Sequence, residues 1–294
     1  MNNILHLRGK FQQRKNPNAF GPVNLPKGAR VTADHIAAIK KQLTDLEDYW
    51  MKEQTIGGVL VSVHYKCIVA KSNRLQILLG EKGTHPNLSI RGAKFVDEYN
   101  KQNKVVKKHV FTYFISFEAL RKSIEYLEKC QKVLISHYNG EITDKDTLLI
   151  NSGKYKDNIM PKSIFLKVIV DANYVENFQL DRADEKIREQ SIVTIYRTGV
   201  GTAELLRKFG IDMVSAKMID ETTLRLDPGE IEILQNNASY LIAMYVKNFA
   251  EIVLNDIESE KQEGVITIPK PQNEPIVGVI DTQFDERVYF HEWV

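Results

Sequence analysis

Between residues 53 and 247 the chain alternates short runs of β-branched and aromatic residues with helix-like stretches, and this alternation restricts it to a mixed α and β architecture. Val59-Leu60-Val61-Ser62-Val63-His64-Tyr65 reads as a strand, Arg74 to Leu79 as a short helix ending at Gly80, and Leu88 to Val96 with Lys108 to Ile115 as a strand pair. Ser116 is positioned to cap a long helix that carries Leu120, Ile124, Leu127 and Leu134 on one face, and Ser163 to Asp171 reads as the next strand. The same order then recurs. Ser191 to Tyr196 is strand-like, Thr202 to Gly210 helical, and Ala216 to Ile219 with Thr222 to Leu226 a second strand pair. Asp227-Pro228-Gly229-Glu230 combines a capping acid, a proline at the first helical position and a glutamate three residues after the cap. Ile231 and Leu234 face the core of that helix, and Tyr240 to Val246 closes the unit as an apolar strand. The predicted class is α+β, with two βαββαβ units of the ferredoxin-like kind, each an antiparallel sheet with its helices on one side.

The predicted boundaries follow composition. Residues 1–52 form an arm rich in basic residues, then an amphipathic helix opened by Thr32, with Ile36, Ile39, Leu43, Leu46 and Trp50 on one face. Residues 53–175 hold the first α+β domain and 190–247 the second. Residues 248–275 form an acidic, proline-punctuated linker, within which Phe249 to Ile257 could be helical, and 276–294 begin a further domain.

The chain has 294 residues, 43% of them apolar, and a net charge of +2, which excludes an intrinsically disordered class. Balanced charge gives no reason to expect nucleic acid or an anionic membrane as partner. No run of about 18 apolar residues and no signal-peptide h-region occurs, so a cytoplasmic location is expected. Cys67 and Cys130 lack a C-x-x-C or a companion histidine cluster and read as buried thiols; no metal or cofactor is expected.

Ile276-Val277-Gly278-Val279-Ile280 is an apolar run of the kind expected for a strand buried on both faces, and it ends in Asp281. Reactive groups of open α/β sheets collect at the carboxyl ends of strands, which makes Asp281 either a catalytic acid or a turn-capping residue. Val277-Gly278-Val279-Ile280-Asp281-Thr282 resembles the strand that presents the catalytic Asp of subtilisin-like serine proteases, departing from the family at Gln283, where a glycine is usual. Residues 191–246 in turn resemble the ferredoxin-like propeptide that precedes subtilase catalytic domains. The stretch from Asn273 to Asp285, with Val288-Tyr289-Phe290, Glu292-Trp293-Val294 and the opening His6-Leu7-Arg8-Gly9 and Arg14-Lys15-Asn16-Pro17, resembles a bacterial cytoplasmic group of subtilases with a long N-terminal region.

The resemblance implies an Asp-His-Ser triad of which this chain supplies Asp281 alone. The H-G-T and G-T-S-M-A motifs of the family are absent, and the histidines at 6, 35, 64, 85, 109, 137 and 291 lack that context. The chain alone is therefore expected not to hydrolyse peptide bonds. It also implies that the propeptide-like sheet packs on the enzyme's own catalytic domain, assisting its folding and inhibiting it, with Lys247-Asn248-Phe249-Ala250 the candidate segment for the substrate groove, and that peptides or proteins are the substrates. An AAA-type ATPase is the further partner that the group implies. Val294 reads as a cut through a domain, leaving the strand Ile276 to Ile280 disordered or borrowed into another chain's sheet.

The alternative reading is a non-catalytic binding or adaptor module. Tyr65, Phe111, Tyr113 and Phe114 near Lys104, Lys107 and Lys108 could in principle face RNA, although the aromatic motif of sheet-face RNA readers is missing and core packing explains the same residues. Residues 1–170 could dock a substrate or partner for the complete protease.

Overall fold

The computed structural model describes residues 21–99, 103–155, 157–183, 186–212 and 217–247. In chain order the elements are β1 (Arg30–Thr32), α1 (Ala33–Lys52), β2 (Val59–Tyr65), β3 (Ile90–Tyr99), β4 (Val105–Ile115), α2 (Phe117–His137), β5 (Glu141–Thr143), α3 (Asp144–Leu149), α4 (Lys162–Tyr174) and β6 (Val175–Gln179). They continue with β7 (Ser191–Ile195), α5 (Thr202–Lys208), β8 (Thr223–Leu226), α6 (Pro228–Ala238) and β9 (Ile242–Lys247). The protein is α+β, and its sheets are antiparallel: a short pair β1-β5, a four-stranded sheet in the order β3-β4-β2-β6, and a three-stranded sheet in the order β8-β7-β9.

The helices start where their capping residues place them. The Thr32 hydroxyl accepts the His35 N–H at 3.2 Å, and the Ser116 hydroxyl accepts that of Ala119, also at 3.2 Å. Asp227 and Glu230 form a reciprocal capping box at α6, with the Asp227 N–H donating to Glu230 Oε2 at 3.0 Å. The predicted stripe of α1 is buried at all five positions. α1, α2 and α4 pack against one another, and the buried residues of both larger sheets belong to one continuous core.

Three elements differ from the sequence reading, and the simplest is Ala216 to Ile219, expected as a strand, whose described residues contribute only an isolated bridge from Met218 to Leu224. Residues 163–171, expected as a strand, lie within helix α4. Phe165, Leu166, Val168, Ile169, Val170 and Ala172 are all buried, so this helix is apolar almost all round, and a short continuous apolar run carries no period that separates helix from strand. The strand that fills the fourth place of the sheet is β6, which directly follows α4. Residues 74–79, expected as a helix, form an irregular turn instead. Its N–H groups point at side chains: those of Gln76, Ile77 and Leu78 donate to the Asp171 carboxylate, and that of Leu79 donates to Ser123 Oγ. A tertiary carboxylate thus satisfies the donors that a helical turn would have engaged. Cys67 is exposed rather than buried, whereas Cys130 is buried in α2, where burial pushes its thiol up.

Where the two sheets meet, the chains approach too closely for side chains. The Tyr196 ring lies over Gly92, where a Cβ would sit 2.5 Å from the ring, and Thr112 Oγ1 donates to Tyr196 Oη at 3.2 Å. The Gly199 N–H donates to the Ile56 carbonyl at 3.1 Å, and the Trp50 and Tyr240 rings meet edge to face at 5.1 Å.

Candidate functional site

Asp281, Asn248, Phe249 and Ala250 lie outside the described residues. Lys247 ends β9, its backbone paired with Ser191. What the structure describes of the sequence-predicted site is therefore the strand leading to it and the sheet that carries this strand.

β7 lies between β8 and β9, and strand alternation gives the sheet two unlike faces. Val193, Ile195, Leu224 and Leu226 are buried, as are Leu205 and Leu206 of α5 and Ile231 and Leu234 of α6. On the opposite face the register sets Thr194 between Thr223 and Met244, and Ile192 between Arg225 and Val246. The two threonine hydroxyls bond to each other at 3.2 Å. Ile192 and Val246 are half-buried, Arg225 is exposed, and Met244 is 57% exposed. Met244, a flexible thioether, is the one exposed apolar side chain among these six positions.

At one end of this face is a cleft of about 480 Å³ lined by Arg91, Thr194, Arg197, Asp220, Glu221 and Ala243. Arg197 donates to Glu221 at 2.5 Å. The N–H groups of Thr222 and Thr223 each donate to Asp220 Oδ1 at 2.8 Å, and these bonds hold the Asp220 carboxyl below its ordinary range. The cleft is thus rimmed by both signs of charge.

The four-stranded sheet holds a second polar cluster that the sequence did not reveal. His64 Nε2 lies 2.8 Å from Asp181 Oδ1, Gln179 Nε2 donates to the same oxygen at 2.8 Å, and Lys94 Nζ reaches Asp181 Oδ2 at 2.7 Å. Burial would raise the Asp181 carboxyl, but the donors His64, Lys94 and Gln179 outweigh it and hold the group well below the usual carboxylate range. Alternation along β2, with Val61, Val63 and Tyr65 on one face, is the signal that sets Ser62 and His64 on the other; the carboxylate partner could not be inferred because β6 and the turn after it were not expected.

The histidines among the described residues are engaged elsewhere than in a catalytic triad. His35 Nε2 lies 3.0 Å from the carbonyl oxygens of Ala172 and Val175, and burial lowers its pKa. His85 and His109 each accept a backbone N–H through Nδ1, and His137 Nε2 is 3.2 Å from Asp157. Among the described residues none of the five hydrogen-bonds a serine hydroxyl, and no group of three His, Cys, Asp or Glu could hold a metal ion. Tyr65, Phe111 and Tyr113 are buried and Phe114 packs beside Gly58, so these aromatics serve the core. No described helix is long and apolar enough to cross a membrane. In comparisons with protein-family models, curated proteins and solved structures, the chain matches none.

Proposed function

We propose that this chain is the N-terminal, propeptide-like portion of a cytoplasmic, bacterial-type subtilisin-like serine endopeptidase, followed by the strand bearing its catalytic Asp281. The observation that carries the reading is the make-up of residues 191–247. The order β9-β7-β8 is extended by an antiparallel bridge between Met218 and Leu224, and α5 and α6 supply the two crossovers. Counting that bridge as the second strand gives the order 4-1-3-2, which supports reading the unit as a ferredoxin-like layer. The first sheet, read as β6-β2-β4-β3, has the same order, although its first crossover carries no α-helix.

In this reading the open face with Ile192, Arg225, Met244 and Val246 covers the enzyme's own catalytic domain. β9 then delivers Lys247-Asn248-Phe249-Ala250 into the substrate groove, and Asp281 follows Lys247 by 34 positions. Asp281 would fix the tautomer of the triad histidine and stabilise its imidazolium while a serine attacks the peptide carbonyl; both of those residues would come from sequence beyond Val294. Peptides or proteins are the substrates of the complete enzyme, and an AAA-type ATPase is a partner on the strength of the resemblance alone.

The sequence encoded beyond residue 294 tests the proposal. H-G-T and G-T-S-M-A motifs in the same frame are the expected result, and their absence overturns it. The 294-residue chain alone is expected to leave casein and fluorogenic peptides intact; hydrolysis abolished by Asp281→Ala would overturn the claim that the triad is incomplete here.

A further inference from the structure

The outer edge of β3 has no partner strand among the described residues, although the strand runs for ten residues. β2 pairs with β4 only between Ile115 and Val110, so the pairs Asp97 with Lys107 and Tyr99 with Val105 form a ribbon beyond the end of that pairing. One face of the ribbon carries the pair Asp97 and Lys107 together with Phe95, Tyr99 and Val105, and these last three are 60%, 73% and 53% exposed. The other face carries two incomplete charge networks. In one, Lys94 is bound to Asp181 at 2.7 Å; in the other, Lys108 is held by Glu176 at 2.6 Å and by Glu98 at 2.5 Å. The first ends on Lys94 and the second on Glu98, both about half exposed and both on the open edge strand.

We propose that two copies of this chain pair edge to edge through β3, antiparallel, about a two-fold axis that passes through Val96 perpendicular to the sheet. Such an axis keeps each face of the sheet continuous across the interface, and one register satisfies both faces at once. Centred on Val96, Lys94 of each copy stands opposite Glu98 of the other. Asp181, Lys94, Glu98, Lys108 and Glu176 then alternate in sign across the junction without a break. On the other face Tyr99 packs over the small Ala93 of the second copy, each Phe95 stands opposite Asp97 of the second copy, whose neighbour on β4 is Lys107, and the two Phe95 rings become diagonal neighbours, which covers four exposed aromatics. The neighbouring registers fail. Centred on Asp97, that carboxylate meets its own copy; centred on Phe95, Lys94 meets Val96 and Glu98 meets Gly92. The paired edge also satisfies backbone groups that otherwise template uncontrolled association.

Light scattering of the full chain across a concentration series is expected to show a reversible dimer. Val96→Asp and Val96→Lys, which place like charges at the axis, are each expected to be monomeric with unchanged far-ultraviolet circular dichroism, and their equimolar mixture is expected to dimerise. In a Cys67→Ser background, Val96→Cys is expected to cross-link to itself under mild oxidation, because residues facing each other across antiparallel strands lie within disulfide reach, whereas Lys94→Cys is not. A chain monomeric at every concentration, a dimer indifferent to Val96→Asp, or equal cross-linking at positions 94 and 96 overturns the proposal.

Discussion

Replacing Asp171 by alanine is expected to destabilise the fold by about 3–5 kcal/mol in chemical denaturation: a buried donor left without a partner costs roughly 1–3 kcal/mol, three lose their partner at once, and the half-buried Gln76 and Ile77 recover part of that cost from water. The Asp171 carboxylate, 2% exposed on α4, accepts the Gln76 N–H at 2.7 Å through Oδ1 and those of Ile77 and Leu78 at 3.0 and 2.9 Å through Oδ2. Those bonds hold the turn that buries Leu75, Leu78 and Leu79. Amide exchange in residues 75–79 should accelerate more than elsewhere. Asp171→Asn keeps an acceptor oxygen but presents an NH₂ group to the remaining donors, and should lie between wild type and alanine. A loss below about 1 kcal/mol for Asp171→Ala, the low end for one unmet donor, would mean that water replaces the carboxylate. The same site sets a pH dependence. Burial pushes the Asp171 carboxyl up to about 7, against the pull of its three N–H donors. A folded-state value above the unfolded one makes folding take up a proton. The stability from this group is therefore full below about pH 4 and is lost as pH rises toward 7. The wild type's advantage over Asp171→Asn should shrink across that interval.

Trp50→Ala is expected to cost about 3–5 kcal/mol, the range for deleting a fully buried large aromatic. Trp50 is 0% exposed, donates Nε1–H to the Leu60 carbonyl at 3.0 Å, and packs edge to face on Tyr49 and Tyr240, each at 5.1 Å. It joins the end of α1 to the first sheet and to the second sheet's last crossover, so its loss opens a cavity where the two meet. Trp50→Phe retains most of the apolar contact but leaves the Leu60 carbonyl without its donor, and should cost about 1–2 kcal/mol. Equal effects of the two substitutions in urea denaturation would contradict this account of the junction.

What could be read from the sequence was what is encoded locally. Thr32, Ser116 and Asp227 announce their helices because capping is a contact between residues two or three apart, and the α1 stripe follows from a 3.6-residue period. The central strands β2, β4 and β7 are legible because β-branched residues crowd them. The helix α4 was not: its apolar run is buried on nearly every side, which hides the period. With α4 read as a strand, β6 had no place, and the Asp181 cluster that follows β6 could not be seen. The turn at 74–79 depends on Asp171, more than ninety residues away, and no local pattern signals such a partner. Exposure of Cys67 likewise depends on where the segment after β2 leaves the sheet.

The propeptide proposal sets the open face of the second sheet on the catalytic domain, and inhibition in trans tests that placement directly. The 294-residue chain is added to the mature protease that the proposal assigns to Asp281, and hydrolysis of a fluorogenic peptide is followed. The account predicts saturable inhibition. Met244→Arg, at the exposed apolar position of the face on edge strand β9, should weaken it by about tenfold or more, equivalent to roughly 1.4 kcal/mol, while Leu148→Arg, exposed on α3, leaves it intact. Activity unchanged at every concentration, or inhibition indifferent to Met244→Arg, would contradict it.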